Sequence, residues 1–163
     1  MRILDADQIR RKLARLAVEI LERHFEHERI YLVGVNNNGY ATAELLRDNI
    51  EAEGYRLEVV VRRVRLSPAD PLHGGIDLEG DVADLDGEHV ILVDDVANTG
   101  RTAFYATAPL TRVLPASLEV AVLVDRRHKS WPVSCDYVGL TLATSLQDDI
   151  RVYYDEDWRV EVF

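Results

Sequence analysis

Cysteine occurs once in these 163 residues, at Cys135. One thiol excludes an intrachain disulfide and any multi-cysteine zinc site built from a single chain, and it fits a reducing compartment, so the cytoplasm is the expected location. Long apolar runs are missing too: nothing approaches the ~18 uninterrupted apolar residues of a membrane span. The opening MRILDADQIRRKLARLAVEIL lacks the apolar centre and small-residue cleavage site of a signal peptide. The chain therefore reads as soluble and unprocessed. Positive charge is scarce, with 19 Lys plus Arg against 29 Asp plus Glu and a net charge of -10. Such a field repels phosphate polyanions at long range and disfavours nonspecific nucleic-acid binding, leaving RNA only a local basic patch.

What is present is enough for one core, since 47% of the residues are hydrophobic and the length suits a single domain over 1–163. Asp5 with Gln8 three residues on predicts a capped helix, continued by Ile9, Leu13, Leu16, Ala17, Ile20 and Leu21 at helical spacing. Residues 30–35 read as a buried strand stopped by a polar turn, 41–53 as a helix, and 57–64 as a β-branched strand. Residues 65–88 hold two prolines and four glycines without a sustained period, which predicts a long flexible loop, a lid or a mobile surface segment, with room for a short hairpin. Strands are expected at 89–93 and 118–124 with a helix over 101–113 between them, and short strands at 137–141, 150–154 and 159–163. The alternation implies an α/β fold with a mainly parallel twisted sheet, helices on both faces, and ligands at the carboxyl ends of the strands.

The densest chemistry lies in VILVDDVANTGRT, residues 90–102. An aliphatic strand ends in Asp94 and Asp95, and a small-residue turn then opens a helix. Backbone N–H groups at a helix start favour phosphate, with Thr99 and Thr102 as added hydroxyl donors. The carboxylates suit ribose hydroxyls or a magnesium-bound water. An acidic turn with Asp capping a helix is the plain alternative. The segment is neither GxxxxGK[ST] nor GxGxxG.

This segment resembles the signature of the type I phosphoribosyltransferases, enzymes that bind 5-phosphoribosyl-1-pyrophosphate (PRPP). ILDADQIRRKLARLAVEILER, ILVDDVANTGRTAFYA and AVLVDRRHKSWPVSCDYVGLTLATS are similar, in order and spacing, to the branch that combines regulation of pyrimidine genes with uracil phosphoribosyltransferase activity. The resemblance implies a hood of short C-terminal strands, a homodimer or larger assembly, and Mg2+ brought with PRPP rather than held directly. It implies transfer of ribose 5-phosphate to a nucleobase, most simply uracil, or else RNA binding or PRPP sensing on the same fold. It places the ribose at Asp94 and Asp95, the 5-phosphate at Asn98, Thr99, Gly100, Arg101 and Thr102, and pyrophosphate at Val35, Asn36, Asn37, Asn38 and Gly39. The base falls to Arg126, Tyr137 and Val138. Asn37 and Asn38 stand where that branch has a Thr-Arg pair, which removes a cation. Asn98 stands where purine enzymes carry an Asp; an amide cannot take a proton at neutral pH, which disfavours a purine. His24 and His27 read as solvated, with a metal role as the lesser alternative, Trp131, Trp158 and the tyrosines as core or subunit contacts, and Cys135 as a small buried apolar residue.

Overall fold

The computed structural model describes residues 1–145 and 147–163. Helix α1, Ala6–His24, starts where Asp5 accepts from the Gln8 backbone at 2.8 Å and Gln8 accepts from the Asp5 backbone at 2.9 Å. This reciprocal cap satisfies two otherwise unpaired donors. Strand β2, Arg29–Val35, is buried on both sides from Ile30 onward, as a central strand must be. Helix α2 spans Asn36–Ala52, β3 spans Glu58–Arg65 and β4 is the pair Asp77–Leu78. Strand β5 runs His89–Ala97, α3 Arg101–Ala106, β6 Ser117–Arg126 and β7 Tyr137–Leu142.

The six-stranded sheet has the order β4-β3-β2-β5-β6-β7, parallel except for the β3–β4 pair. Side-chain alternation sorts the core. Ile30, Leu32, Ile91, Val93, Ala121 and Leu123 join the cluster that includes the buried faces of α1 and α2. Tyr31, Val33, Val90 and Leu92 join the opposite cluster, with Ala103 and Ala106 of α3 and with Leu85 and Leu110 of two short 3-10 turns. Helices thus cover both faces. From β2 the chain crosses to β3 on one side, and β5 then takes the other side. The carboxyl ends of β2 and β5 therefore flank the switch point where such sheets bind ligands.

Over those ends sits a second sheet, β1-β9-β8, formed by Arg2–Leu4, Arg159–Val162 and Ile150–Tyr153 in antiparallel pairs. This is the expected hood, with two differences. Residues 2–4, too short to show a period, supply one strand. Residues 137–142 are not in it, because β7 pairs in parallel with β6 at the edge of the main sheet.

Three further boundaries move. The helix expected from residue 41 begins at Asn36, whose left-handed φ of 53° turns the chain directly from β2 into α2; Asn is among the residues that tolerate that region. Strand β5 continues past Val93 to Ala97, because Asp94, Val96 and Ala97 keep their register with Val122, Val124 and Asp125 of β6. The helix after it ends at Ala106 and gives way to a 3-10 turn containing Pro109. The segment after β3 is partly ordered by pairing: Val64 and Arg65 face Leu78 and Asp77.

Candidate functional site

Asp94 and Asp95 lie inside the last turn of pairing of β5, held by the sheet rather than by a loop. Asp94 Oδ1 accepts from the Asp95 N–H at 2.9 Å, and Asp95 Oδ1 accepts from the Val96 N–H at 2.8 Å. Burial at the strand end pushes the Asp94 carboxyl well above its ordinary value, and the neighbouring Asp95 charge pushes it further. A like-charged, desolvated pair gains from any partner that brings hydroxyl donors or positive charge. The carboxylate oxygens therefore fit both ribose hydroxyls and a hard divalent cation such as Mg2+, which prefers one or two carboxylates and waters.

The turn that follows carries Asn98, Thr99 and Gly100. Gly100 has φ 87°, and a Cβ there would meet Val133 at 3.2 Å, so glycine serves both the backbone and the close approach. Thr99 Oγ1 accepts from the Arg101 N–H at 3.3 Å, while Thr99 O accepts from Ser130 and Trp131 N–H at 2.9 and 3.1 Å. Residues 130–131 thus clamp the turn from outside. The Arg101 guanidinium donates to Pro68 O at 2.6 Å, tying the long loop to the start of α3. Asp94, Asn98, Thr99, Gly100, Arg101 and Thr102 line one small hollow.

The start of α2 comes to meet this pair. Asn38 Nδ2 donates to Asp95 Oδ2 at 2.8 Å and to Val152 O of β8 at 3.0 Å. Thr42 Oγ1 donates to Asn38 O and contacts the Tyr154 hydroxyl, both at 2.8 Å. Asn38 therefore links helix, acidic pair and hood. Gly39 packs so closely on β5 that a Cβ would lie 2.6 Å from Val93 O. Asn38, Asp95 and 150–155 line an open cleft of roughly 370 Å³.

Residues 2–156 match the description "Phosphoribosyl transferase domain".

The chain belongs to the phosphoribosyltransferase family.

Within that family it is similar to proteins named Bifunctional protein PyrR. That of Bacillus subtilis is 38% identical over 165 residues, covering 94% of this chain and 90% of the relative. That of Clostridium perfringens is 39% identical over 161 residues, with 94% and 90% covered. Among solved structures, a hypoxanthine phosphoribosyltransferase of Trypanosoma cruzi superposes with TM-score 0.76 at 20% identity, covering 98% of this chain and 94% of that one. A hypoxanthine-guanine phosphoribosyltransferase of Bacillus anthracis gives 0.72 at 22% identity, with 88% and 84% covered. At such identities the likeness is one of fold.

Seen as a phosphoribosyltransferase, the chain gathers most of the residues singled out from its sequence. Asp94, Asp95, Asn98 to Thr102 and Asn38 converge where β2 and β5 end. Arg126 reaches the same rim: its guanidinium donates to Thr144 Oγ1 at 2.9 Å, to Asn98 Oδ1 at 3.3 Å, and to Ser145 O. Tyr137 and Val138 do not reach it. They pair with Ala121 and Val122 on the edge strand, and neither lines the cleft of Asn38, Asp95 and 150–155. The Tyr137 hydroxyl is turned to Glu119 at 3.1 Å, and Val138 O accepts from Arg15.

Two contributors escaped the sequence. Strand β8 lines the cleft although its four residues carry no motif. Arg63 brings a cation to the α2 start, donating to Asn37 Oδ1 at 2.8 Å and stacking 3.9 Å from the Tyr40 ring. The parallel register that sets Gly34 opposite Arg63 is its only signal. Cys135 is half-buried and its thiol is pushed up to about 12, first by burial and then by Asp125. It is inert at neutral pH.

Proposed function

We propose that the protein transfers ribose 5-phosphate from PRPP to a nucleobase, uracil foremost, with release of pyrophosphate, and that it works as a homodimer or larger assembly. The observation that carries the reading is the desolvated Asp94–Asp95 pair between the Asn98–Gly100 turn and the Asn38 amide. Asp94 and Asp95 accept the ribose hydroxyls. Backbone N–H groups of Asn98, Thr99, Gly100, Arg101 and Thr102, with the Thr99 and Thr102 hydroxyls, take the 5-phosphate. Asn36, Asn37, Asn38 and Gly39 face the pyrophosphate, where Arg63 stands in for the cation missing from Asn37 and Asn38. Asp94 and Asp95 would hold Mg2+ through water, and the ion would supply positive charge to the pyrophosphate. The base lies in the cleft beside β8, with Arg126 at its rim, in place of Tyr137 and Val138. Asn98 cannot accept a proton, and its carbonyl is already turned to Arg126, which favours a pyrimidine over a purine.

Incubation of the pure protein with PRPP, Mg2+ and a panel of bases tests this. Pyrophosphate release is expected with uracil and to be at least tenfold slower with hypoxanthine or guanine. Measured PRPP binding without release for any base would replace the transferase by a sensor.

A second reading, RNA binding, is favoured by one local feature. Arg11, Lys12 and Arg15 on α1 line a cleft of roughly 550 Å³ with Gln8 and Leu140. Burial, followed by repulsion from Arg15 and Arg11, lowers the Lys12 ammonium from its ordinary value. Such a concentration of like charge, on a chain of net charge -10, suits a polyanion. Binding of a pyrimidine leader RNA is expected to weaken steeply between 50 and 200 mM salt, with a shallower salt slope after Arg11→Ala with Lys12→Ala. No binding at the lower salt removes the reading.

A further inference from the structure

Three histidines meet at the end of the sheet remote from the cleft. His24 closes α1, His27 lies in the turn after it, and His89 opens β5. Five residues of extended strand separate His89 from Asp94, or about 17 Å. Contrary to the solvated reading of the sequence, His24 is only 3% exposed. One ring nitrogen from each histidine lies within 4.8 Å of the others.

We propose that His24, His27 and His89 form a binding site for a divalent first-row transition metal, with Zn2+ as the best-fitting ion. Three observations converge. The first is spacing: the His24 and His27 Nδ1 atoms are 3.0 Å apart, and three nitrogens about 2.1 Å from one tetrahedral ion stand about 3.4 Å from each other. That value lies between the 3.0 Å of this pair and the 4.8 Å within which all three nitrogens fall.

The second is that the other ring nitrogens of His24 and His89 are already engaged. His24 Nε2 meets Glu119 Oε1 at 2.5 Å, and His89 Nδ1 meets Ser117 Oγ at 2.8 Å. A metal-bound imidazole typically donates its second N–H to such an oxygen, which fixes the tautomer and aims the free lone pair. Here this leaves lone pairs on His89 Nε2 and on His24 Nδ1, the latter accepting from His27 Nδ1 in a hydrogen bond that a metal would replace. Glu119 is itself positioned by Arg23 at 2.9 Å and by the Tyr137 hydroxyl at 3.1 Å, so the carboxylate is fixed before any ion arrives.

The third is charge. The Glu119 carboxylate lies 2.5 Å from His24 Nε2, and Glu88 immediately precedes His89 at the start of β5. Neutral imidazole is the ligating form, and these two carboxylates offset the charge of a dication. His27 now stacks on His89 with centroids 3.7 Å apart and planes 10° from parallel. Two parallel rings cannot both aim at one ion, so binding tilts the His27 ring out of the stack. Its place in a turn, half-buried, allows that motion and opens the site to solvent. Three imidazoles leave a fourth position for water, and the choice of nitrogen ligands selects Zn2+, Co2+ or Ni2+ over Mg2+. A bound ion would join the last turn of α1 to β5.

The test uses the full-length chain without an affinity tag, stripped by chelator, and reads metal binding rather than transfer, so its outcome is independent of the proposed activity. Calorimetric titration with Zn2+ is expected to give one site per chain, and Co2+ to give the intense visible bands of a tetrahedral nitrogen site. His27→Gln and His89→Gln, both at partly exposed positions and checked by circular dichroism, should each weaken Zn2+ at least tenfold. Asp95→Asn should leave Zn2+ affinity unchanged. Wild-type affinity retained in both histidine variants would overturn the proposal, as would binding abolished by Asp95→Asn or a weak octahedral Co2+ spectrum.

Discussion

Asp94→Asn is expected to raise the melting temperature of the ligand-free protein at pH 7 while reducing phosphoribosyl transfer by about two orders of magnitude or more. The two effects share one cause. Burial and the charge of Asp95 raise the Asp94 carboxyl in the folded protein, so the folded state binds its proton more tightly than the unfolded chain does. Below the unfolded value of about 3.9 this carboxyl costs nothing. As pH rises from there through the raised folded value the charged form accumulates and stability falls, and above that value the full penalty persists. An amide removes the penalty and keeps the acceptor for the Asp95 N–H. Each kcal/mol recovered is worth about 2–4 °C in a chain of this size. Transfer suffers because an uncharged group no longer complements a ribose or cation partner; losing one such preorganised group costs roughly 100- to 1,000-fold. Melting curves from pH 4 to 8 should show wild type losing stability with rising pH relative to the variant. A variant that melts below wild type at pH 7 would contradict the desolvated-pair account, and one that transfers at wild-type rate would remove Asp94 from the reaction. Under the proposed function, a charged Asp94 would trade stability for a charge that bound substrate or cation offsets.

Gly39→Ala should carry the second largest effect. The new Cβ would lie 2.6 Å from Val93 O and 3.3 Å from Asp94 Oδ1, and the first of these is backbone that cannot turn aside. The start of α2 must therefore lift from β5, carrying Asn38 away from Asp95 Oδ2 and Val152 O. Overpacking of this kind costs about 1–3 kcal/mol, or a melting temperature roughly 2–12 °C lower, and PRPP affinity should fall at least tenfold. Gly54→Ala separates the two kinds of glycine. Gly54 has φ 77° and open space around its Cβ position, so alanine there costs about 1–2 kcal/mol of backbone strain with no loss of PRPP affinity. Equal PRPP affinities for the two variants would show that the α2–β5 contact does not shape the site.

The sequence disclosed what local pattern governs. The capping pair Asp5 and Gln8, the apolar stripe of α1, and the uniformly apolar β2 and β5 follow from side-chain chemistry within a few residues. The acidic pair and glycine turn of 94–102 are likewise contiguous, so their joint meaning was legible. Boundaries slipped where a long-range ladder outweighs local polarity: Asp94 and Asp95 read as a strand end, yet pairing with β6 carries β5 to Ala97. Asn36 to Gly39 read as a turn, yet one left-handed residue lets α2 start at once.

Tyr137 and Val138 illustrate a deeper limit. A strand's position in the chain does not say what its groups will meet, and only the fold turns the Tyr137 hydroxyl to Glu119 and the Val138 carbonyl to Arg15. Arg63, β8 and the approach of His89 to the neighbours His24 and His27 are similarly silent in sequence, since each is acquired across crossovers of tens of residues. The sequence by itself determined the α/β class and the paired carboxylates with the glycine turn that follows them, because these rest on periodicity and adjacency. Tertiary structure alone decided which strand floors the cleft, which cation serves α2, and which histidines share a space, because parallel register joins residues that no local pattern relates.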